Sequence, residues 1–336
     1  MTTAAIDLSA LVTMLRDSRG FAHKRDIDDV MVLLGQCSSV GSHAVLIGDD
    51  CAAIPDGDGY LLLAIEGFLN DFVSAEPWFA GYCGVMVNVS DIFAMGGRPI
   101  AVVDAFWSRG GDAAKPLLDG LAKASQTYGV PIVGGHSNRR NDREQLSVAI
   151  LGRATHLLTS FDAQPGESIV AAIDLRGRFH DPYAYWDASS NQPAERLRAD
   201  LELLPMIAEA GWSKACKDIS MAGIIGTALM LLECSGIGAS IDLDAIPRPP
   251  NVGLERWLTA FPSYGFLLSV PDNKLESLLD CFQQRDISAA VIGETNSSHH
   301  VTLRLHEATE LLWNFEEQRL IGCSGKIKKV EDAHHA

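Results

Sequence analysis

A chain of 336 residues, of which 47% are hydrophobic and 21% charged, is long enough to bury a full hydrophobic core and to form two domains. Its formal net charge of -16 at pH 7 repels nucleic-acid phosphates and anionic membrane surfaces, and no cluster of lysines and arginines interrupts that charge. No run approaches the roughly 20 apolar residues of a membrane-spanning helix. We therefore expect a soluble globular protein that binds neither nucleic acid nor a membrane.

The seven cysteines are widely scattered, and no two of them have the C-x-x-C spacing of a zinc or redox site. Cysteines of this kind are typical of reduced, cytosolic proteins. The first residues also lack the basic region and the long apolar region of a signal peptide. Together these features predict a cytoplasmic protein.

The first half of the chain alternates predicted helices and strands. Apolar residues at helical spacing predict helices, and Ser9 and Asp26 are N-cap candidates. The predicted helices are residues 9–16, 26–34, 84–95 and 117–128. The predicted strands are residues 44–47, 60–65, 99–107, 130–133 and 145–155. A turn-prone stretch at 55–59 joins the first two strands and predicts a β-hairpin, so this half is expected to be α+β.

A second unit of the same mixed class is predicted after a break in periodicity at residues 162–167. We expect an N-terminal domain at residues 1–160 and a C-terminal domain at residues 165–336. The predicted helices of the second half are residues 194–210 and 222–234. Its predicted strands are residues 168–173, 238–243, 265–270, 289–292 and 301–305.

Two acidic segments indicate a metal-assisted phosphate site. In Gly48-Asp49-Asp50 the glycine permits a tight backbone, and adjacent acids can offer oxygens to more than one hard cation. Asp91 lies in an apolar, helix-like stretch, where an uncompensated carboxylate costs several kcal/mol unless it is paired or binds a metal. The alternatives are an ordinary Gly-Asp turn for the first segment and a buried cap for the second.

Two further segments have the composition of nucleotide-binding loops. Gly134-Gly135-His136 follows an apolar strand, and glycines at a strand end let a phosphate or a base approach main-chain N–H groups closely. Asp218 begins a turn of small residues that opens a helix, whose first N–H groups can hold an anion. An ordinary N-cap is the alternative interpretation of Asp218.

The order of these four segments resembles the AIR synthase-related, PurM-like superfamily. That superfamily includes aminoimidazole ribonucleotide synthetase, thiamine-monophosphate kinase, selenophosphate synthetase and the hydrogenase-maturation dehydratase. The four matching segments are 48–54 (Gly-Asp-Asp-Cys-Ala-Ala-Ile), 88–99 (Asn-Val-Ser-Asp-Ile-Phe-Ala-Met-Gly-Gly-Arg-Pro), 134–137 (Gly-Gly-His-Ser) and 218–226, and a fifth, 262–268, resembles a glycine-containing strand of the second domain. The resemblance covers most of the chain.

The resemblance implies a fold and a dimer. The expected fold is α+β, with a PurM-like N-terminal domain built on a mixed sheet with helices and a C-terminal α/β sandwich. The N-terminal domains of two copies are expected to pair, so that their sheets form a barrel. The expected cofactors are ATP and Mg²⁺, bound between the two kinds of domain.

The resemblance also implies roles for individual residues. Asp49 and Asp91 are expected to be catalytic, with His136 as a further candidate because it adjoins the nucleotide loop. The expected metal ligands are Asp49, Asp50, Glu66 and Asp91. The expected cofactor-binding residues are Asp50, Asn88, Gly134, Gly135, Asp218 and Lys24, the last from a basic segment that folds over the phosphates; exposed surface is the alternative for Lys24.

Several departures from the relatives limit the choice of reaction. Glu66 stands where an Asp is usual, and Met221 interrupts the Ser-Asp-Gly-Leu pattern of thiamine-monophosphate kinase. Selenophosphate synthetase and the hydrogenase-maturation enzyme each use a Cys that has no counterpart here. The activities of thiamine-monophosphate kinase, selenophosphate synthetase and the hydrogenase-maturation enzyme are therefore not expected.

The leading hypothesis is an ATP-dependent, Mg²⁺-requiring phosphotransferase or synthetase. Such an enzyme, of the kinase or ligase type, transfers the γ-phosphoryl group to an oxygen of a small molecule or activates that oxygen. The alternatives are a non-catalytic nucleotide-binding partner subunit and a dimeric scaffold. The segment 176–186 mixes cations with aromatic residues and is either a substrate contact or an ordinary surface loop.

Overall fold

The computed structural model describes residues 6–34, 46–110 and 112–323. Its helices are α1 (Leu8–Arg16), α2 (Arg19–Leu34), α3 (Asn70–Ala75), α4 (Pro77–Ala94), α5 (Lys115–Tyr128), α6 (Ala194–Leu201), α7 (Leu203–Glu209), α8 (Gly223–Ser235), α9 (Leu254–Leu258) and α10 (Asp272–Gln283). No helix in these ranges is both long and apolar enough to cross a membrane.

The first sheet has five strands in the order β1-β2-β5-β3-β4. Its strands are β1 (Ala52–Asp56), β2 (Gly59–Gly67), β3 (Arg98–Trp107), β4 (Ile132–Asn138) and β5 (Gln145–Ala154). Neighbours are antiparallel except β3 and β4, which are joined by the crossover helix α5. Helix α4 packs on one face of this sheet and is buried along most of its length, which explains its apolar sequence.

The opposite face of the first sheet carries exposed apolar side chains. Successive residues of a strand point to opposite faces, so Leu62 and Ala64 lie in the core while Leu63 and Ile65 lie on the other side. Ile65 is 70% exposed, and Val103, in the same row of the sheet, is 41% exposed. Among the residues that the structure describes, none covers this side of the sheet, which is therefore an exposed apolar surface.

The second sheet has seven strands in the order β15-β14-β10-β13-β6-β12-β9. The strands after β5 are β6 (Ser168–Ile173), β7 (Arg178–Phe179), β8 (Tyr185–Asp187), β9 (Ala215–Asp218), β10 (Gly238–Asp242), β11 (Phe261–Pro262), β12 (Gly265–Val270), β13 (Ser288–Asn296), β14 (His300–Leu305) and β15 (Ala308–Asn314). Strands β7, β8 and β11 form a small separate sheet.

Both faces of the second sheet are covered. Alternate residues of β6 and β12 belong to the core that contains α4, α7 and α10, and the others belong to the core that contains α1 and α8. A strand buried on both faces has a continuous apolar sequence rather than an alternating one. This explains why both strands occupy the predicted residues.

The predicted hairpin exists, but its first strand was predicted wrongly. The strand is Ala52–Asp56, whereas residues 46–47 lie outside any strand and residues 44–45 lie outside the described residues. Pro55 sits inside this strand because β1 is an edge of the sheet, where a missing N–H is tolerated. The turn comprises only Gly57 and Asp58.

Two helix starts also differ from the prediction. Helix α2 begins at Arg19 rather than residue 26, and the hydroxyl of Ser18 accepts the N–H of Phe21 at 3.3 Å. Helix α1 is capped by Asp7, whose carboxylate accepts the N–H of Ser9 at 3.0 Å. In both cases a polar side chain before the helix satisfies a free N–H group, which sets the start.

Candidate functional site

Three carboxylates from distant parts of the chain converge between the two sheets. Asp50 follows the Gly48 turn before β1, Asp91 lies on α4, and Asp218 ends β9, the edge strand of the second sheet that contacts α4. One ligand oxygen from each lies within 4.8 Å of the others. Three oxygen ligands at this spacing suit a hard divalent cation such as Mg²⁺.

The polar groups of α4 support the same assignment. The Oδ2 atom of Asp91 is buried and has no hydrogen-bond partner among the described residues, although the residue is only 7% exposed. Asn88 lies one helical turn away; its amide donates to the Gly84 carbonyl at 2.8 Å, while its Oδ1 is buried and accepts no hydrogen bond from the described part of the chain. Buried acceptors without donors are costly, so this pair fits a site that is completed by a ligand.

Burial and mutual repulsion shift the ionisation of the cluster. Burial, followed by the nearby Asp218 carboxylate, raises the pKa of Asp91 well above its usual range. Burial, followed by Asp50, raises the pKa of Asp218 to about 8. Carboxylates held close together out of water are more stable when protonated, because their negative charges repel. A bound cation reverses that preference.

Asp49 has a different environment from Asp50. Its Oδ2 accepts the Ser160 N–H at 2.8 Å, and its Oδ1 accepts the Ser160 hydroxyl at 2.6 Å and the Asp50 N–H at 3.0 Å. Burial raises its pKa to about 6. Among the described residues Asp49 is not a member of the three-carboxylate cluster; it ties the acidic turn to Ser160 and thereby positions Asp50.

Two lysines complete the charge pattern of the site. The Lys217 ammonium donates to Asp50 and lies 4.0 Å from the Asp49 carboxylate. Lys24 lies on α2; desolvation and the Lys217 charge lower its pKa, while Asp218 and Glu66 act in the opposite direction. Lys24 is thus half-buried and close enough to the acidic residues to feel their charge.

The sequence pattern did not single out two residues of the site, Lys217 and Ser160. A lysine in the apolar strand Ala215–Asp218 was an available signal, since a charged residue there needs a partner. Ser160 offered no such signal, because its role depends on Asp49, 111 residues earlier in the chain.

Glu66 stands at the end of β2. Desolvation raises the pKa of its carboxyl, whereas the positive charge of Lys24 lowers it. Register places Glu66 in one row across the sheet with Val148, Asp104 and Gly135. A Cβ on Gly135 would lie 3.0 Å from the Asp104 carboxylate, so the glycine leaves room beside that acid.

His136 lies one residue further along β4 and belongs to the next row, with Ala105 and Ser147. Its side chain therefore faces the uncovered side of the sheet, and its ring centroid is 6.1 Å from that of Trp107. The single chain does not bring His136 together with the carboxylates. Gly134 is on the same exposed edge strand, with Val103 as the nearest neighbour of its missing side chain.

The segment 176–186 packs between the two domains. The His180 ring stacks on Phe79 of α4 at 3.8 Å, and Tyr183 meets Phe72 of α3 edge-on at 5.1 Å. Arg176 is paired with Asp174 at 2.8 Å. The aromatic and cationic side chains that suggested substrate contact thus make structural contacts.

Family models match both halves of the chain. The description "AIR synthase related protein, N-terminal domain" matches residues 48–154, and the corresponding C-terminal domain matches residues 181–306. The chain belongs to the AIR synthase-related family. The family membership and the α+β, two-domain architecture expected from the sequence are thereby confirmed.

Two similar proteins, both described as uncharacterized, match this chain along nearly their whole length. One from Synechocystis sp. is 47% identical and covers 95% of this chain and 99% of its own length. One from Methanocaldococcus jannaschii is 32% identical and covers 95% and 100%, respectively. The phosphoribosylformylglycinamidine synthase subunit PurL of Methanosarcina acetivorans is 27% identical over 78% of this chain, which spans only 40% of that protein.

Solved structures share the fold at lower identity. T. maritima PurL complexed with ATP has a TM-score of 0.71 and 19% identity, covering 98% of this chain and 54% of the PurL chain. AaThiL complexed with AMPPCP and TMP has a TM-score of 0.62 and 19% identity, covering 83% of this chain and 94% of its own. The AIR synthase-related fold therefore includes proteins that bind ATP or an ATP analogue.

Proposed function

We propose that this protein is an ATP-dependent, Mg²⁺-requiring enzyme that transfers the γ-phosphoryl group to an oxygen of a small molecule or activates that oxygen. The observation that carries the proposal is the convergence of Asp50, Asp91 and Asp218 between the domains, with one buried oxygen of Asp91 lacking a donor in the described ranges. The ATP-bound and AMPPCP-bound relatives of the same fold support it.

In this proposal the three carboxylates hold the metal, and Asn88 offers its free Oδ1 to the same ligand assembly. Mg²⁺ held by these carboxylates would supply positive charge that offsets the negative charge of the phosphates. Lys24 on α2 is the second basic group of the site, and burial and the Lys217 charge lower its pKa. Asp49 holds the turn that presents Asp50, so the chain contributes positioning and electrostatics rather than a covalent intermediate.

We also propose a homodimer through the uncovered face of the first sheet. Ile65 and Val103 on this face are 70% and 41% exposed, and contiguous exposed apolar surface marks protein interfaces. His136 lies on the same face, so pairing would enclose it in the interface. The six cysteines of the described ranges are free and buried, which supports the proposal of a cytoplasmic protein.

A non-catalytic nucleotide-binding subunit is the second candidate, because Lys217 already neutralises part of the acidic turn. Mg²⁺-dependent formation of ADP or phosphate separates the two, with small carboxylates, amides and alcohols screened as acceptors. The enzyme hypothesis predicts turnover with some acceptor, lost in Asp91→Asn and retained in the exposed control Asp280→Asn. Metal-dependent ATP binding without turnover for any acceptor would contradict it and favour the second candidate.

A further inference from the structure

Lys217 is a buried cation inside the acidic site. It lies on the edge strand β9, one residue before Asp218, and its side chain is only 5% exposed. Its ammonium donates to Asp50 Oδ1, lies 3.5 Å from the Ser160 hydroxyl and 4.0 Å from Asp49 Oδ1. The charge thus stands between the two adjacent acids of the turn.

Two carboxylates lie beside the Lys217 nitrogen. Asp50 Oδ1 accepts its hydrogen bond directly, and Asp49 Oδ1 lies 4.0 Å away. A buried ammonium is costly unless opposite charges and hydrogen-bond acceptors compensate it. The two acids of the turn supply that compensation for Lys217.

Hydrogen bonds to the two acids limit what else they can bind. Both oxygens of Asp49 accept donors from Ser160 or from the Asp50 N–H. The Oδ1 atom of Asp50 accepts a hydrogen bond from the Lys217 ammonium, while its Oδ2 accepts the Asp218 N–H at 3.2 Å. The Oδ1 atoms of Asp49 and Asp50 thus already lie beside one cation, the Lys217 ammonium.

A second group of oxygens, from three carboxylates, defines one metal position. Asp50, Asp91 and Asp218 offer oxygens within 4.8 Å of one another, and the buried Asp91 Oδ2 has no donor within the described ranges. We propose that Lys217 is a built-in cation that takes the place of a second divalent ion between Asp49 and Asp50. The site then binds one divalent ion per chain; this inference rests on the proposed function for the existence of that ion.

A site with a built-in lysine balances charge differently from a site that binds two divalent ions. Part of the positive charge near the phosphates is covalently attached, so it is neither released with product nor removed by chelators. Removing it leaves the acidic turn with uncompensated carboxylates, which attract a divalent ion more strongly. Lys217 thus sets the number and affinity of the metal ions that the site accepts.

The test is Mn²⁺ binding to the full chain, measured by electron paramagnetic resonance of free Mn²⁺ in the presence of a non-hydrolysable ATP analogue. Wild type is compared with Lys217→Met, Lys217→Arg and the exposed control Lys214→Met. Thermal unfolding of each variant without ligand checks that it is folded. The wild-type and Lys217→Arg measurements keep the inference testable if Lys217→Met does not fold.

We expect one Mn²⁺ per chain in wild type, in Lys217→Arg and in Lys214→Met. In Lys217→Met we expect a second Mn²⁺ per chain or at least tenfold tighter binding of the first. Two ions in wild type would overturn the inference, as would unchanged or weaker binding in folded Lys217→Met.

The same measurement separates failure of the proposed function from failure of the inference about Lys217. Mn²⁺ bound by Lys217→Met but not by wild type would support the built-in cation and contradict metal-dependent activity. Absence of Mn²⁺ binding in every variant would overturn both the inference and the proposed function.

Discussion

Glu233 holds the last described segment of the chain against the site, and its replacement is a sharp test of the architecture. This side chain of α8 is 1% exposed. Its Oε1 accepts the N–H groups of Leu320 at 2.9 Å and Gly322 at 3.3 Å, and its Oε2 accepts that of Ile321 at 2.8 Å. One carboxylate thus satisfies three consecutive N–H groups, two of them on buried residues.

The segment anchored in this way contacts two parts of the site. A Cβ on Gly48 would lie 2.3 Å from Cys323 Cβ, so the segment packs directly on the acidic turn. A Cβ on Gly322 would lie 2.0 Å from the carboxylate of Asp28, so the segment also packs on α2, which carries Lys24. Loosening it is expected to affect both stability and nucleotide binding.

Glu233→Gln keeps the shape of the side chain but replaces one acceptor oxygen with an NH₂ group. If the amide oxygen takes the Oε1 position, the Ile321 N–H loses its acceptor. A hydrogen bond to a charged group contributes about 1.5–3 kcal/mol, and an orphaned buried N–H costs a similar amount. We expect a loss of about 2–3 kcal/mol, or roughly 4 °C in Tm.

The assay is urea and thermal unfolding of wild type, Glu233→Gln and the exposed helical control Glu276→Gln. The control is expected to change by less than about 0.5 kcal/mol, as surface substitutions do. A Glu233→Gln protein as stable as the control would refute the role assigned to these three hydrogen bonds.

Three further predictions test the site and the interface. Burial raises the folded-state pKa of Asp49 to about 6 and that of Asp218 to about 8, from an ordinary value of 3.8, so stability is lost as pH rises from about 4 to about 8. Tm without metal should fall over that range, less so with saturating Mg²⁺, and a flat or rising profile would contradict this. Gly48→Ala should lower Tm and weaken ATP binding, because Gly48 has φ +121° and an added Cβ meets Cys323, and equal stability to wild type would disprove that contact. Ile65→Glu should convert a dimer to a monomer in light scattering; an unchanged mass would reject the sheet face as the interface.

Much of the architecture was predictable where burial leaves a strong pattern. Strands β6 and β12 occupy the predicted residues because both of their faces are buried. The start of α2 and the strand at Ala52–Asp56 were not predicted, since the first depends on the cap at Ser18 and the second on an edge position that tolerates Pro55. Neither feature leaves a periodic signal.

The candidate site was predictable only in part. The sequence singled out Asp50, Asp91 and Asp218, and the structure brings them together. The environment of Lys217 depends on a pairing with a residue 167 positions away, which periodicity does not reveal. The side of the sheet on which His136 lies depends on a register shift between β3 and β4, which the sequence also does not show.

The central claim is a metal-dependent ATP site built on Asp91, and the most direct measurement is thermal unfolding with ATP and Mg²⁺, compared with ATP and EDTA. A ligand at about 100 times its Kd adds about 2.7 kcal/mol, which for a protein of this size raises Tm by roughly 2 °C or more. We predict that rise in wild type and in the exposed control Asp280→Asn, and its loss in EDTA and in Asp91→Asn. No rise at millimolar ATP, or an equal rise in Asp91→Asn, would contradict the claim.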